Sequence, residues 1–167
     1  MRLFMENKRN HKGISLMEVC VVIAVMAVII AIGFPSFSAY YRTYKFHEYA
    51  YAVESLIKSS KLVAMEKSIN VGVCVDIAAK TLSIVNMEAN RSNICSGPIL
   101  NTLRVDDAFV SLSASGTMEG AKGLSFDPRG FAIYPGHVCA SNGVKYYKVV
   151  VGRFGATRIE RGSGGCP

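Results

Sequence analysis

From Ile14 to Phe34 the chain runs for 21 residues with a single charged side chain, Glu18, and from Val19 onward that stretch has none. As a helix, a run of this length is about enough to cross a bilayer, and it is long for the apolar core of a secretory signal. Basic residues Arg2, Lys8, Arg9 and Lys12 precede it, and Ser36-Phe37-Ser38 beyond it has the small-residue character of a signal cleavage site. The position of Glu18, five residues after Gly13, argues for a different kind of processing. A carboxylate inside a membrane segment costs several kcal/mol, so such a group usually has a partner. In one reading Glu18 starts the helix in the headgroup layer, favoured by the helix dipole. In the other, cleavage after Gly13 creates an amine at Ile14, and this amine and the Glu18 carboxylate neutralise each other within or between chains.

The order Lys12-Gly13-Ile14-Ser15-Leu16-Met17-Glu18-Val19, followed by Val21-Val22-Ile23-Ala24-Val25-Met26-Ala27-Val28, resembles the class III leader and N-terminal helix of type IV pilins and pseudopilins. The resemblance implies that a membrane prepilin peptidase cuts after Gly13 and methylates Ile14. It places Glu18 at the family's glutamate and Pro35 at a position where many members have proline. Ile14 departs from the commonest pilin start, Phe, which hints at a minor component. The implied partners are prepilin peptidase, the inner membrane and other pilins or pseudopilins of a type IV pilus or a type II secretion pseudopilus. The implied location is a single-pass inner-membrane protein with its head in the periplasm, which then enters the filament.

Gly33 and Pro35 predict a bend or local melting, because proline removes an amide donor and clashes with the preceding turn. Beyond it, Tyr49, Val53, Leu56, Ile57, Ser60, Val63 and Ala64 keep close to a 3.6-residue period, with Glu54, Lys58, Lys61 and Glu66 at other positions. This predicts one long helix to about Ser68, its second half packed on a sheet. The aromatics crowded between Phe34 and Tyr51 read as an interfacial belt and helix packing. His47 among them has no second ligand at helical spacing, so no metal site is expected there.

After Asn70 the pattern changes to strands. Val71–Ile77 and Thr81–Asn86 read as a hairpin, and further strands are expected near Leu103–Leu112, Leu124–Phe126, Phe131–Tyr134, Val144–Val151 and Thr157–Glu160. The expected fold is α+β and pilin-like: a long N-terminal helix, transmembrane in its first half, packed on a mostly antiparallel head. The expected organisation is a leader over 1–13, a transmembrane and assembly helix over 14–35, an amphipathic helix of the head over 36–69 and a β-rich head over 70–167. Phe126-Asp127-Pro128-Arg129-Gly130 and the segment Val149–Arg158 resemble the F-x-P-x-G turn and the final hairpin of the GspH/FimT family of secretion pseudopilins and minor pilins.

Cys20 falls in the apolar helix, where a thiol serves as a small apolar residue. Cys74, Cys95, Cys139 and Cys166 fall in the head, and four cysteines in an exported domain suggest two disulfides. Three pairings are open; Cys74–Cys95 and Cys139–Cys166 are favoured, the first closing the hairpin region and the second pinning the tail to the sheet. A zinc site lacks any C-x-x-C pair, although His137 lies near Cys139.

No catalytic constellation, cofactor or metal site is expected. The adjacent carboxylates Asp106 and Asp107 would point to opposite faces of a strand, and no Ser sits in G-x-S-x-G. The net charge of +7 is uneven, since the first 13 residues carry +3 and the segment Lys145–Arg161 carries +4. Lys145, Lys148, Arg153, Arg158 and Arg161 are therefore candidates for contacting double-stranded DNA, with Tyr146, Tyr147 and Phe154 available for stacking. Some members of the resembled family bind DNA during uptake through a G-R-x-R run near this hairpin. Here Gly155-Ala156-Thr157-Arg158 keeps Arg158 alone. The simpler reading is a solvated basic edge that discourages strand pairing.

Overall fold

The computed structural model describes residues 15–89, 91, 94–116 and 122–167, with positions 35 and 36 described by their backbone alone. The expected cleavage pair, Gly13 and Ile14, lies outside the described residues. Helix α1 spans Leu16–Lys67 and continues through position 35. The chain divides into two compact units, one ending at Tyr41 and the other comprising Arg42–Pro167.

In the first unit, every residue from Ser15 to Phe34 is exposed. Helix α1 is, among the described residues, the one helix long and apolar enough to cross a membrane, and none of its apolar window is buried by protein.

In the second unit α1 has a buried face formed by Phe46, Ala50, Val53, Ile57, Ser60 and Ala64, which recur at steps of three and four. Each large apolar side chain on that face contributes about 1.5–3 kcal/mol by leaving water. Ser60 avoids an unsatisfied hydroxyl by donating to the Ile57 carbonyl at 2.7 Å. The helix ends in a Schellman arrangement: Ser68 takes a left-handed φ of 54°, and Ile69 N–H bonds back to the Ala64 carbonyl at 3.2 Å.

Among the described residues, nine strands follow. β1 (Asn70–Asp76), β2 (Thr81–Glu88), β3 (Ile99–Arg104), β5 (Lys122–Phe126) and β6 (Ala132–Tyr134) form one antiparallel sheet in the order β3-β2-β1-β5-β6. β4 (Ser111–Ser115), β7 (Gly136–Ser141), β8 (Lys145–Val151) and β9 (Thr157–Ser163) form a second, in the order β4-β7-β8-β9. Val71, Val73, Leu82, Ile84, Leu124 and Phe126 from the first sheet share one core with Tyr147, Val149 and Val151 from the second and with the buried face of α1. The expected α+β architecture, with antiparallel sheets and a helix packed on them, is what forms.

Two strand expectations need correction. The single strand expected over Leu103–Leu112 is two strands in different sheets. Lys80, from the β1–β2 turn, breaks it by donating its ammonium to the carbonyls of Asp107 at 3.0 Å and Val110 at 2.8 Å. Asp107 Oδ1 accepts from Phe109 N–H at 2.7 Å and tightens the same bend. Strand β7 was not anticipated. Its last four residues are buried without alternation, because the tail held by Cys166 crosses the face that would otherwise meet water, so the period-two signal disappears.

The disulfides join Cys74 of β1 to Cys95, with Cα atoms 5.9 Å apart, and Cys139 of β7 to Cys166, at 6.1 Å. Cys20 is free and exposed on α1.

Candidate functional site

The first candidate surface is the N-terminal stretch of α1. Side chains from Leu16 through Ile32 leave the backbone on all sides and remain exposed, with Glu18 in the first turn as the acidic group. A helix apolar all round requires an apolar environment, either lipid or other helices. Among the described residues from Ser15 to Tyr41, Glu18 carries the lone formal charge.

The second candidate lies where α1 meets β8 and β9. Glu54 faces the sheet with its side chain 13% exposed. It accepts a short hydrogen bond from Tyr147 Oη and pairs with Lys58 one turn along. These two hydrogen bonds, Lys58 first, hold the Glu54 carboxyl below its ordinary range against the opposing effect of burial. Tyr147 is driven the other way: burial and its bond to Glu54 raise the phenol. The Arg161 guanidinium lies 4.9 Å above the Tyr147 ring, with Nη2 reaching the phenol oxygen at 3.4 Å. Tyr51 meets Tyr147 edge-on at 5.8 Å, and His47 stacks on Tyr51 at 6.2 Å. This cluster ties the last hairpin to the helix across 93 residues of sequence between Glu54 and Tyr147, so no local pattern announces it.

The five basic candidates of the tail do not form one surface. Strand register puts Lys148 opposite Glu160, with Arg158 two residues away on the same face. Glu160 pairs with Lys148 at 3.6 Å and, more closely, with Arg158. Arg161 sits on the opposite face, engaged with Tyr147. Lys145 is exposed at one end of the hairpin and Arg153 in the turn at the other.

The third feature is the turn Asp127–Phe131. Asp127 is buried, and its Oδ1 accepts from the backbone N–H of Arg129 and of Phe131, both at 2.9 Å. Burial pushes this carboxyl up. The two N–H donors and the Arg129 charge outweigh that and hold it below its ordinary range. Its Oδ2 draws in Arg129 at 3.4 Å and Arg91 at 3.6 Å. The β8–β9 turn locks onto this one: Arg153 C=O accepts from Ala132 N–H at 3.1 Å, and Lys61 of α1 donates to the Gly155 carbonyl at 3.0 Å. Gly155 has φ 68°, and a Cβ there would overlap the Gly130 carbonyl oxygen, so both the conformation and the approach require glycine.

His137 shares a 2.6 Å hydrogen bond with Ser115 on the second sheet. Among the described residues, no group of three or more His, Cys, Asp or Glu side chains is placed to hold a metal. Asp106 and Asp107 lie in the β3–β4 connection, Asp106 paired with Arg104 at 2.6 Å.

No family model and no curated relative matches the sequence. Solved structures do share the fold. The type IV minor pilin FimU of Pseudomonas aeruginosa is similar at 13% identity and a TM-score of 0.56, covering 71% of this chain and 90% of that one. The minor pseudopilin EpsH from the Type 2 Secretion System of Vibrio cholerae is similar at 12% identity and a TM-score of 0.52, covering 70% and 96%. The fold is therefore that of minor pilins and pseudopilins: a long apolar N-terminal helix packed, in its second half, on antiparallel sheets.

Proposed function

We propose that this chain is a minor pilin or pseudopilin subunit with a structural rather than catalytic role. It is cleaved after Gly13 and methylated at Ile14 by a prepilin peptidase, held in the inner membrane with its head in the periplasm, and assembled with other pilins into a filament. The observation that carries this reading is the fully exposed apolar surface of α1 from Leu16 to Phe34, interrupted by Glu18 alone, in a chain whose head has a pilin-like fold. In the filament each Glu18 carboxylate meets an N-terminal amine in an apolar setting, where an unpaired charge would cost several kcal/mol. Pro35 provides the point at which the helix yields during packing.

Substituting Gly13→Ala is expected to leave the leader on, visible as a larger mass of the membrane-bound chain. Glu18→Ala is expected to be cleaved normally yet to disappear from the sheared filament fraction. Normal incorporation of the Glu18 variant would remove the charge-pairing role. Double-stranded DNA capture by the C-terminal hairpin gains no support from its geometry, since Lys148, Arg158 and Arg161 are engaged with Glu160 and Tyr147.

A further inference from the structure

The structure assigns the outer edge of β9, with the groove between it and α1, as a docking site for an extended strand of a different filament subunit, one that alternates apolar and acidic side chains. The inference rests on the filament reading above and names the chemistry of one neighbour.

β9 ends its sheet, and among the described residues no strand lies beyond it. Its register fixes which backbone groups are spare. Gly152 N–H bonds to the Ala156 carbonyl at 3.0 Å and Gly164 N–H to the Val144 carbonyl at 2.7 Å, so the even-numbered residues of β9 exchange hydrogen bonds with β8. The N–H and C=O groups of Thr157, Ile159, Arg161 and Ser163 therefore point away from β8. Such a row of backbone groups is a template for one more strand. Beside it runs a groove of about 490 Å³ between β9 and α1, lined by Tyr51, Ser55, Lys58, Leu62, Ile159 and Arg161 among others. Tyr51 and Leu62 are 51% and 59% exposed, although this part of α1 also carries the buried stripe. Ser55 and Ser59 lie between them on the groove wall, where small side chains leave room for a second backbone beside the helix.

Alternation sets the pattern of the partner, because successive side chains of an added strand point to opposite faces. One set enters the groove against Tyr51, Leu62 and Ile159 and is apolar. The other lies on the outer face beside Arg158, whose side chain is 75% exposed, and is acidic. Glu160 leaves positive charge there, since one carboxylate serves both Lys148 and Arg158. Arg161, held over the Tyr147 ring, adds charge of the same sign at the groove. A second copy of this chain does not fit. Among the described residues the other strands that end a sheet, β3, β4 and β6, contain no carboxylate, and β9 offers only the shared Glu160. Two β9 edges side by side would also set arginine against arginine. The acidic strand thus comes from a different pilin, which suits a minor subunit among others. Main-chain bonds then supply affinity and the alternating side chains selectivity.

The test uses the full-length chain in cells that assemble it into filaments, with a photo-crosslinking amino acid replacing Leu62. The expected product is a covalent adduct with a different pilin, its cross-linked peptide alternating apolar and acidic residues. The same amino acid at Asn101, in the neighbouring groove beside β3, should give no such adduct. Thr157→Pro removes an outward N–H while sparing the bonds to β8, and should lower the yield roughly tenfold; Thr157→Ala should leave it unchanged. Arg158→Glu, an exposed change that keeps the backbone, should lower it roughly fivefold. Unchanged disulfides on a non-reducing gel establish that each variant folds. If the chain enters sheared filaments but Leu62 cross-links to a second copy, to lipid, to nucleic acid or to nothing, the contact is overturned while the filament reading stands. An adduct that maps to a pilin's apolar N-terminal helix, or one equally strong from Asn101, overturns strand pairing at β9. So does a yield that Thr157→Pro or Arg158→Glu leaves unchanged. Absence of the unsubstituted chain from filaments would instead sink the filament reading.

Discussion

The two halves of α1 are one helix by backbone and two different objects by environment. From Ser15 to Phe34 no side chain is buried; from Phe46 to Ala64 the helix sinks a continuous stripe into the core of the head. The first half is apolar on every side, and among the described residues none of its side chains from Ser15 to Phe34 is buried. The second is apolar on one side and polar on the other. Periodicity thus separates a helix that needs an external solvent or partner from one that finds its partner in its own chain.

Matched substitutions should expose that contrast most strongly. Ile57→Ala, in the buried stripe, is expected to destabilise the head by about 2–5 kcal/mol through lost burial and the cavity left behind. Ile29→Ala should leave head unfolding unchanged. Denaturant unfolding of the full chain in detergent, followed by near-ultraviolet circular dichroism, measures both; equal effects would collapse the distinction between the halves. Next in size, Cys139→Ser with Cys166→Ser should cost about 3–4 kcal/mol for a loop of this length. Proteolysis of the tail should then precede loss of β8 and β9, and an intact tail would show that edge packing, not the bridge, holds it.

A smaller effect sharpens the head's side of the comparison. Tyr147→Phe is expected to cost about 1–2 kcal/mol, since Glu54 keeps its buried position but loses a donor. The pH dependence follows from Glu54 itself. Its folded pKa is depressed by Lys58 and Tyr147, so its contribution is present above the ordinary carboxylate range, near about 4.3. It is lost as pH falls through the lower folded value. Asp127, depressed as well, adds a loss in the same acid window. Glu54→Gln should therefore shrink, not abolish, the acid-side decline in midpoint; an unchanged decline would assign it to Asp127 and other carboxylates. Smallest of all, Lys58→Ala should cost under about 1 kcal/mol, because its side chain is more than half exposed.

The legible parts of the structure were those with local causes. The apolar run, the period of Val53, Ile57, Ser60 and Ala64, and the paired strand patterns of β1 and β2 each act over a few residues. Strand β7 and the break between β3 and β4 escaped because their causes are distant. Cys166 covers the outer face at Cys139, and Lys80 reaches across to the carbonyls of Asp107 and Val110. The basic tail shows the same limit at the level of function. As a string, Lys145, Lys148, Arg153, Arg158 and Arg161 look like one cationic segment. Strand alternation sends Lys148 and Arg158 to one face and Arg161 to the other, and register gives them Glu160 and Tyr147 as partners.

By itself, the sequence determined that this protein has an apolar helix with one carboxylate, followed by an amphipathic helix and a disulfide-bearing β head, because hydrophobic period and residue chemistry are local properties. The tertiary structure alone decided which charges remain free. A charge is cancelled by whatever lies within a few ångströms in space, and Glu54 with Tyr147, or Asp127 with Arg91, become neighbours only when the chain folds. The same proximity set Tyr51 and Leu62 of α1 beside Ile159 and Arg161 of β9, residues that no reading along the chain would group.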